Sequence, residues 1–252
     1  MSDRPDTWEL HDEPHRHYKH NGSWQIGKTR IASVTQILGE GSNGLSQWAQ
    51  GQAYLAAEAE GLAPGLAERA YLAGYGPDAI RDAGARRGNA VHLAAGCLAR
   101  GEKPAPATAE TWPYLQGLAE FWKNQEPVEC TSELAVGSRK HVYAGTLDLT
   151  AKLKYYRGLS LVDFKTSRTG STGWTHPLQA AAYEAARREG GLHPAVNLLI
   201  CYLTPYGTYF MVDVREVGGY ATCRRDFLRQ LALFRRQKRI EQALRGIDGL
   251  SS

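Results

Sequence analysis

Apolar residues recur at helical spacing along the first half of this chain. Along the second half they fall in short strand-like runs, with the change near Pro127. Residues 1–13 are expected to be disordered or loosely attached. Between His15 and Ser33, the apolar positions Tyr18, Trp24, Ile26 and Ile31 flank Asn21-Gly22, which predicts a hairpin turning at that pair. Ser33 stands where a helix over Val34–Leu38 would take its N-cap. Helices are expected at 45–60 and 64–73, then from Pro77 to Arg100, closed by Gly101, and from Ala109 to Asn124. Strands are expected at 129–137, 143–153, 159–165, 196–203 and 208–214. A helix from Trp174 to Arg188 separates the third and fourth strands. A last helix runs from Val217 to Leu244 with Phe227, Leu231 and Phe234 as its apolar seam. The order β-β-β-α-β-β-α after a helical half predicts an α/β fold, a mixed central sheet flanked by helices. The expected division is residues 1–76 for an N-terminal hairpin and helical elaboration, and 77–252 for the core with its C-terminal helix.

Composition narrows the class. A chain of 252 residues with 42% hydrophobic and 22% charged residues can bury a substantial core. No run of about 18 apolar residues occurs, so no membrane partner is expected. The start, Met1-Ser2-Asp3-Arg4-Pro5-Asp6, lacks an apolar signal core, and a cytoplasmic location is the expectation. Cys97, Cys130, Cys201 and Cys223 are far apart in sequence and form no CxxC knuckle, so they read as free thiols. The net charge is only +4, but from Arg215 to Arg245 nine Arg or Lys stand against three Asp or Glu. That helix could be a phosphate-facing stripe or simply a solvated face.

The chemistry is concentrated in Leu161-Val162-Asp163-Phe164-Lys165-Thr166-Ser167. On a strand Asp163 and Lys165 project to one face and Phe164 to the other. A carboxylate and an ammonium at the end of an apolar strand make a poor core and a good cation site. Asp148, in Gly145-Thr146-Leu147-Asp148, offers a second carboxylate on a neighbouring strand, and Glu133 on the strand before it extends the acidic cluster. His92 offers an imidazole four residues after Gly88, which would let that helix approach the sheet closely. Gln179 and Tyr183 share one helical face, Gln179 able to bond Lys165 or a phosphate and Tyr183 to contact nucleic acid. Two carboxylates, an imidazole and the Phe164 carbonyl suit Mg²⁺ or Mn²⁺ and leave positions for water and a phosphate. Lys165 would orient or deprotonate the attacking water, or hold the phosphate. Each of these pieces alone also fits an ordinary surface or core residue. Their order along the chain gives the reading its weight.

That ordered set resembles the RecB-like branch of the PD-(D/E)xK nuclease superfamily over roughly residues 85 to 215. The stretch Ala32-Ser33-Val34-Thr35-Gln36-Ile37-Leu38 is similar to the opening motif of phage exonucleases and of the mitochondrial genome maintenance exonuclease. The resemblance implies a restriction-endonuclease-like core. His92, Asp148, Asp163 and Lys165 would take the catalytic and metal roles, with Gln179 and Tyr183 as the trailing motif. It implies a metal-dependent DNA exonuclease, expected to prefer single strands with a free end. It also implies a phage or mobile-element origin, a host-cytoplasm setting, and recombination or replication proteins of phage or host as partners. The helical segments from Ser33 to Asn124 would roof the site, with Trp48, Tyr54, Tyr71 and Tyr75 as candidate stacking platforms. The CRISPR adaptation nucleases of this branch hold an iron–sulfur cluster on four cysteines grouped near the C-terminal end. The four cysteines here are not so placed, and no cluster is expected. No Gly-x-x-x-x-Gly-Lys-Ser/Thr motif occurs, which argues against a helicase fusion. The alternatives are an endonuclease on the same fold and a catalytically silent nucleic-acid-binding protein.

Overall fold

The computed structural model describes residues 7–11, 17–39, 77–167 and 172–248. The expected helices at 45–60 and 64–73, and the four candidate stacking aromatics, lie outside those residues. The N-terminal stretch is more structured than its polarity suggests. Strand β1 (Trp8–His11) pairs antiparallel with β2 (His17–His20). The Asn-Gly turn is present, with Asn21 at φ 47° and Gly22 at φ 78°, closed by His20 and Ser23 bonding each other's backbone. Two positive φ values are what this hairpin turn demands, and Asn-Gly supplies them cheaply. A second small hairpin follows, β3 (Gln25–Ile26) with β4 (Thr29–Arg30). Ser33 caps α1 (Val34–Gly39) as expected: its Oγ accepts from Gln36 N–H at 3.0 Å while Gln36 Oε1 accepts from Ser33 N–H at 3.1 Å. This reciprocal pair satisfies two donors that a helix start leaves orphaned.

Helix α2 (Pro77–Ala99) ends at Gly101, whose φ of 72° lets the chain turn back so that Glu102 N–H bonds the Cys97 carbonyl. Helix α3 (Trp112–Gln125) starts three residues later than its pattern suggests, because Thr108 and Thr111 bond each other in a turn ahead of it. The rest follows the expected order: β6 (Val128–Ser138), β7 (Tyr143–Lys152), β8 (Leu159–Thr166), α4 (Thr175–Glu189), β9 (Asn197–Leu203), β10 (Tyr209–Asp213), a 3-10 turn (Val214–Val217) and α5 (Gly219–Asp248).

Together with β5 (Ala32–Ser33), these strands build one mixed six-stranded sheet in the order β10-β9-β8-β7-β5, with β6 also on β7. Helices α2 and α3 cover one face, where Phe121, Leu149, Val162, Phe164 and Cys201 are buried. Helices α1, α4 and α5 cover the other, over Leu147, Leu161, Ile200, Tyr202 and Phe227. Strand β5 (Ala32–Ser33) and α1 belong to this sheet and core, so part of the segment before residue 77 shares the central packing.

The pairing around β7 positions the candidate site. Strand β6 runs along one edge of β7 from Lys152 to Tyr143. The other edge is shared: β8 pairs with Leu149–Lys152, and β5 with Tyr143–Ala144. Among the described residues, 145–148 therefore have no strand beside them on that edge. The sheet forks there. The regular alternation of β7 also breaks at this level. Leu147 packs under α4 and Leu149 under α3, although residues two apart on a regular strand share a face. Opposite the break, Glu133 of β6 takes φ 52°, a left-handed conformation that costs a non-glycine residue roughly 1 kcal/mol or more.

Helix α4 is locked to the chain that enters β9 by Glu184, which is fully buried. It accepts from Arg187 at 2.9 Å, Arg188 at 2.7 Å and the Ala195 backbone N–H at 3.1 Å. Arg187 is itself buried. Glu184→Ala would strand that guanidinium, and we expect a stability loss of about 3–5 kcal/mol. For a domain of this size that is a fall in melting temperature of about 6–20 °C. A denaturant titration showing less than about 1 kcal/mol, the worth of one ordinary hydrogen bond, would mean the network is dispensable.

Candidate active site

The candidate site residues gather at the fork. Asp148, at the end of the unpaired stretch of β7, fills the gap that β8 would otherwise close. Its Oδ2 accepts from the Phe164 backbone N–H at 2.7 Å, replacing a ladder bond with a side-chain bond. In an extended strand the N–H and C=O of one residue point to the same edge, so the Phe164 carbonyl also faces the fork. From α2, His92 brings Nδ1 to 3.2 Å from Asp148 Oδ1. Ligand atoms of His92, Glu133 and Asp148 all lie within 4.8 Å of one another. The left-handed backbone at Glu133 thus lies where its carboxylate joins this cluster.

On β8, Asp163 is fully buried and Lys165 Nζ lies 2.6 Å from its Oδ2. Neither Asp163 oxygen has a hydrogen bond of good geometry, and the His92 Nδ1 contact is likewise off the hydrogen-bond line. Above them, on α4, Gln179 Nε2 donates to Tyr183 Oη at 2.8 Å. The Tyr183 ring lies over Gly145, where a Cβ would fall 2.3 Å from its Cε1. A side chain at 145 would expel the ring.

The electrostatics split the two aspartates. Burial pushes Asp148 up, but His92, Lys165 and the Phe164 N–H outweigh it and hold the carboxyl below its usual range. Burial pushes Asp163 up too, and here Lys165 only partly offsets it, leaving the group at about 6. Burial works against charge on His92 and on Lys165, yet the aspartates outweigh it and raise both. Lys165 is thereby held as an ammonium. His92, Glu133 and Asp148, with the buried Asp163–Lys165 pair adjoining them, make a donor set that fits a divalent cation.

The structure brings together His92, Glu133, Asp148, Asp163, Phe164 and Lys165, and sets Gln179 and Tyr183 above them. Two expectations need correcting. Gly88 is not needed for close approach, since a Cβ there would meet open space. Tyr183 is only 2% exposed and offers no surface to a nucleic acid; its hydroxyl is used to fix Gln179. Three participants escaped sequence reasoning. His176, at the start of α4, bonds Tyr202 Oη through Nδ1 at 2.9 Å, and burial and Lys165 push it down to about 4, so it is neutral. Tyr18 Oη lies 3.1 Å from Thr146 Oγ1, two residues before Asp148. Gly145 was visible in its motif, but only the position of the tyrosine ring explains it. The cysteines are divided: Cys201 lies in the core under α2 and α3, and Cys223, on α5, joins the core on the opposite face of the sheet. Burial raises both thiols. Among the described residues no helix is long and apolar enough to cross a membrane.

No family model matches the chain, and no curated protein matches it. Fifteen solved chains do. A crystal structure described as SSO0001 is 18% identical with a TM-score of 0.30, over 48% of this chain and 56% of that one, so the match spans little more than half of that protein. The alkaline exonuclease LHK-Exo from Laribacter hongkongensis is 14% identical with a TM-score of 0.32, over 65% of this chain and 99% of that one. At these scores the functional reading rests on the residues themselves.

Proposed function

We propose that this protein is a metal-dependent nuclease that hydrolyses phosphodiester bonds in DNA, working from a free end and preferring single strands. The observation that carries the reading is Asp163: a fully buried carboxylate whose oxygens make no hydrogen bond of good geometry, 2.6 Å from a lysine and beside Asp148 at a fork in the sheet. A polar pair so buried is costly unless a ligand completes it. His92, Glu133, Asp148, Asp163 and the Phe164 carbonyl would hold a Mg²⁺ or Mn²⁺ ion. Once bound, such an ion supplies charge neutralisation at the phosphate and a more acidic water. Lys165, held as an ammonium, orients the attacking water or a phosphate oxygen as a hydrogen-bond donor. Gln179, fixed by Tyr183, presents its amide to the same space. Neutral His176 braces Tyr202, the β9 neighbour of Lys165. Trp174, 59% exposed at the start of α4, is available to stack on a base. The wider setting fits a phage or host cytoplasm, with recombination or replication proteins as partners and no iron–sulfur cluster.

The test compares an end-labelled linear single strand with its ligated circle, at equal concentration, with Mg²⁺, Mn²⁺ or EDTA. We expect the linear strand to be shortened stepwise only with metal, and the circle to persist. Equal cleavage of both would replace the exonuclease reading with an endonuclease. Full activity in EDTA would remove the metal from the reading. No cleavage under any condition would leave a silent nucleic-acid-binding protein.

A further inference from the structure

A cleft of about 670 Å³ lies apart from the fork, between the N-terminal segment and α5. Lys28 and Arg30 line one wall, and Arg235, Lys238, Arg239 and Arg245 the other. The one carboxylate among its lining residues, Glu241, is already bonded to Gln237 and Lys238 of its own helix. With Lys238 paired to Glu241 and Arg235 donating to the His141 carbonyl, Lys28 and Arg30 still face Arg239 and Arg245 across the groove, a concentration of positive charge that favours a bound anion.

The spacing of these cations says what kind of anion. From Arg235 to Arg245 is ten residues of helix, about 15 Å at 1.5 Å per residue. One phosphate is held by two or three donors converging on a point. A row of cations three turns long, with two more opposite, matches a chain of phosphates. Tyr18, buried between the two, relates the cleft to the fork. It lines the cleft, and its hydroxyl touches Thr146, two residues before Asp148. Two residues of strand are about 7 Å.

We propose that this cleft binds the phosphodiester backbone of a single nucleic-acid strand and leads it to the fork. The proposal rests on the nuclease reading for its direction, but strand binding can be measured without cleavage. Two variants of equal charge change separate a site from general attraction. Arg30→Ala/Arg239→Ala/Arg245→Ala strips the cleft. Arg225→Ala/Arg229→Ala/Arg236→Ala removes three exposed arginines of α5 that do not line it. Affinity for an oligo(dT) of roughly twenty nucleotides is measured in EDTA from low to moderate salt, a length chosen to exceed common single-strand site sizes. At about 0.7 in log–log slope per phosphate contact on single strands, the cleft variant should lose about 2 in slope and at least about tenfold in affinity. The second variant should keep most of both. Inorganic polyphosphate competing as well as oligo(dT), per phosphate, would show an anion trough with no preference for a nucleic-acid strand and overturn the proposal. So would equal losses in the two variants. Thermal melts of both establish that each is folded, and Arg239→Glu/Arg245→Glu should deepen the loss. A protein that binds through the cleft but never cleaves would refute the nuclease reading and leave the cleft standing. One that cleaves with the cleft stripped and its affinity unchanged would do the reverse.

Discussion

Asp163→Asn is expected to cut turnover by at least about 10²–10³, the loss typical of removing one group that stabilises a transition state, and to leave the metal-free protein no less stable. The second half of that expectation is the more discriminating. Asp163 sits at about 6 against an ordinary 3.8, because burial raises it further than the neighbouring Lys165 lowers it. Burial therefore costs the charged group more than the ion pair returns. Below about pH 4 the carboxyl is neutral folded and unfolded, and this cost is absent. As pH rises through about 6 the folded protein must ionise it, and that stability is lost. Asn keeps the shape and never ionises. The variant should match the wild type in acid and pull ahead near neutral pH by about 3 kcal/mol, or roughly 6–12 °C in melting temperature. Added Mg²⁺ or Mn²⁺ should reverse the order, because ligand binding raises the melting temperature of the protein that binds it. A variant that keeps more than about a tenth of the wild-type rate, well short of the loss above, would remove Asp163 from the chemistry. One that melts well below the wild type in EDTA would mean the carboxylate stabilises the fold.

The sequence carried much of this arrangement for definite reasons. The period-two pattern of β8 put Asp163 and Lys165 on one face, and they meet at 2.6 Å. Ser33 and Gln36 stand at capping-box spacing, and their bonds close as that spacing requires. The helix and strand order from Pro77 onward was legible because each element is long enough to show its own period. What could not be read was non-local. The fork exists because two different strands, β5 and β8, share one edge of β7 more than a hundred residues apart in sequence. The left-handed backbone at Glu133 and the broken alternation between Leu147 and Leu149 have no signature in a linear pattern. The same holds for Gly88 and Gly145. Both sit beside candidate site residues, but only the second has a tyrosine ring over it. The short β1 strand was missed for a related reason: its partner, His17–His20, lies across a polar stretch that gave no hint of pairing.

Lys165→Ala should separate chemistry from binding. Its ammonium is raised above its ordinary range because Asp163 and Asp148 outweigh the penalty of burial, so it is a cation at every working pH. As a phosphate contact it would be one of several, contributing about 0.7 to the salt slope of single-strand binding. At the attacking water it has no substitute among the described residues, since His92 is engaged with Asp148 and His176 with Tyr202. We therefore expect single-turnover cleavage to fall by about 10²–10³ or more. Affinity for uncut single strands in EDTA should change by no more than the threefold or so that one screened surface cation is worth. Arg will not rescue, because a planar fork cannot occupy the space of a compact ammonium. The metal response gives a second, independent signature. Without Lys165, the carboxylates of Asp163 and Asp148 have lost their cation, so Mg²⁺ or Mn²⁺ should raise the melting temperature of this variant at least as much as that of the wild type. The same ions should do little for Asp163→Asn. Two inactive variants with opposite responses to metal would assign one residue to holding the ion and the other to acting beside it. Parallel losses of rate and strand affinity in Lys165→Ala would instead make Lys165 an electrostatic anchor, and the attacking water would need another partner.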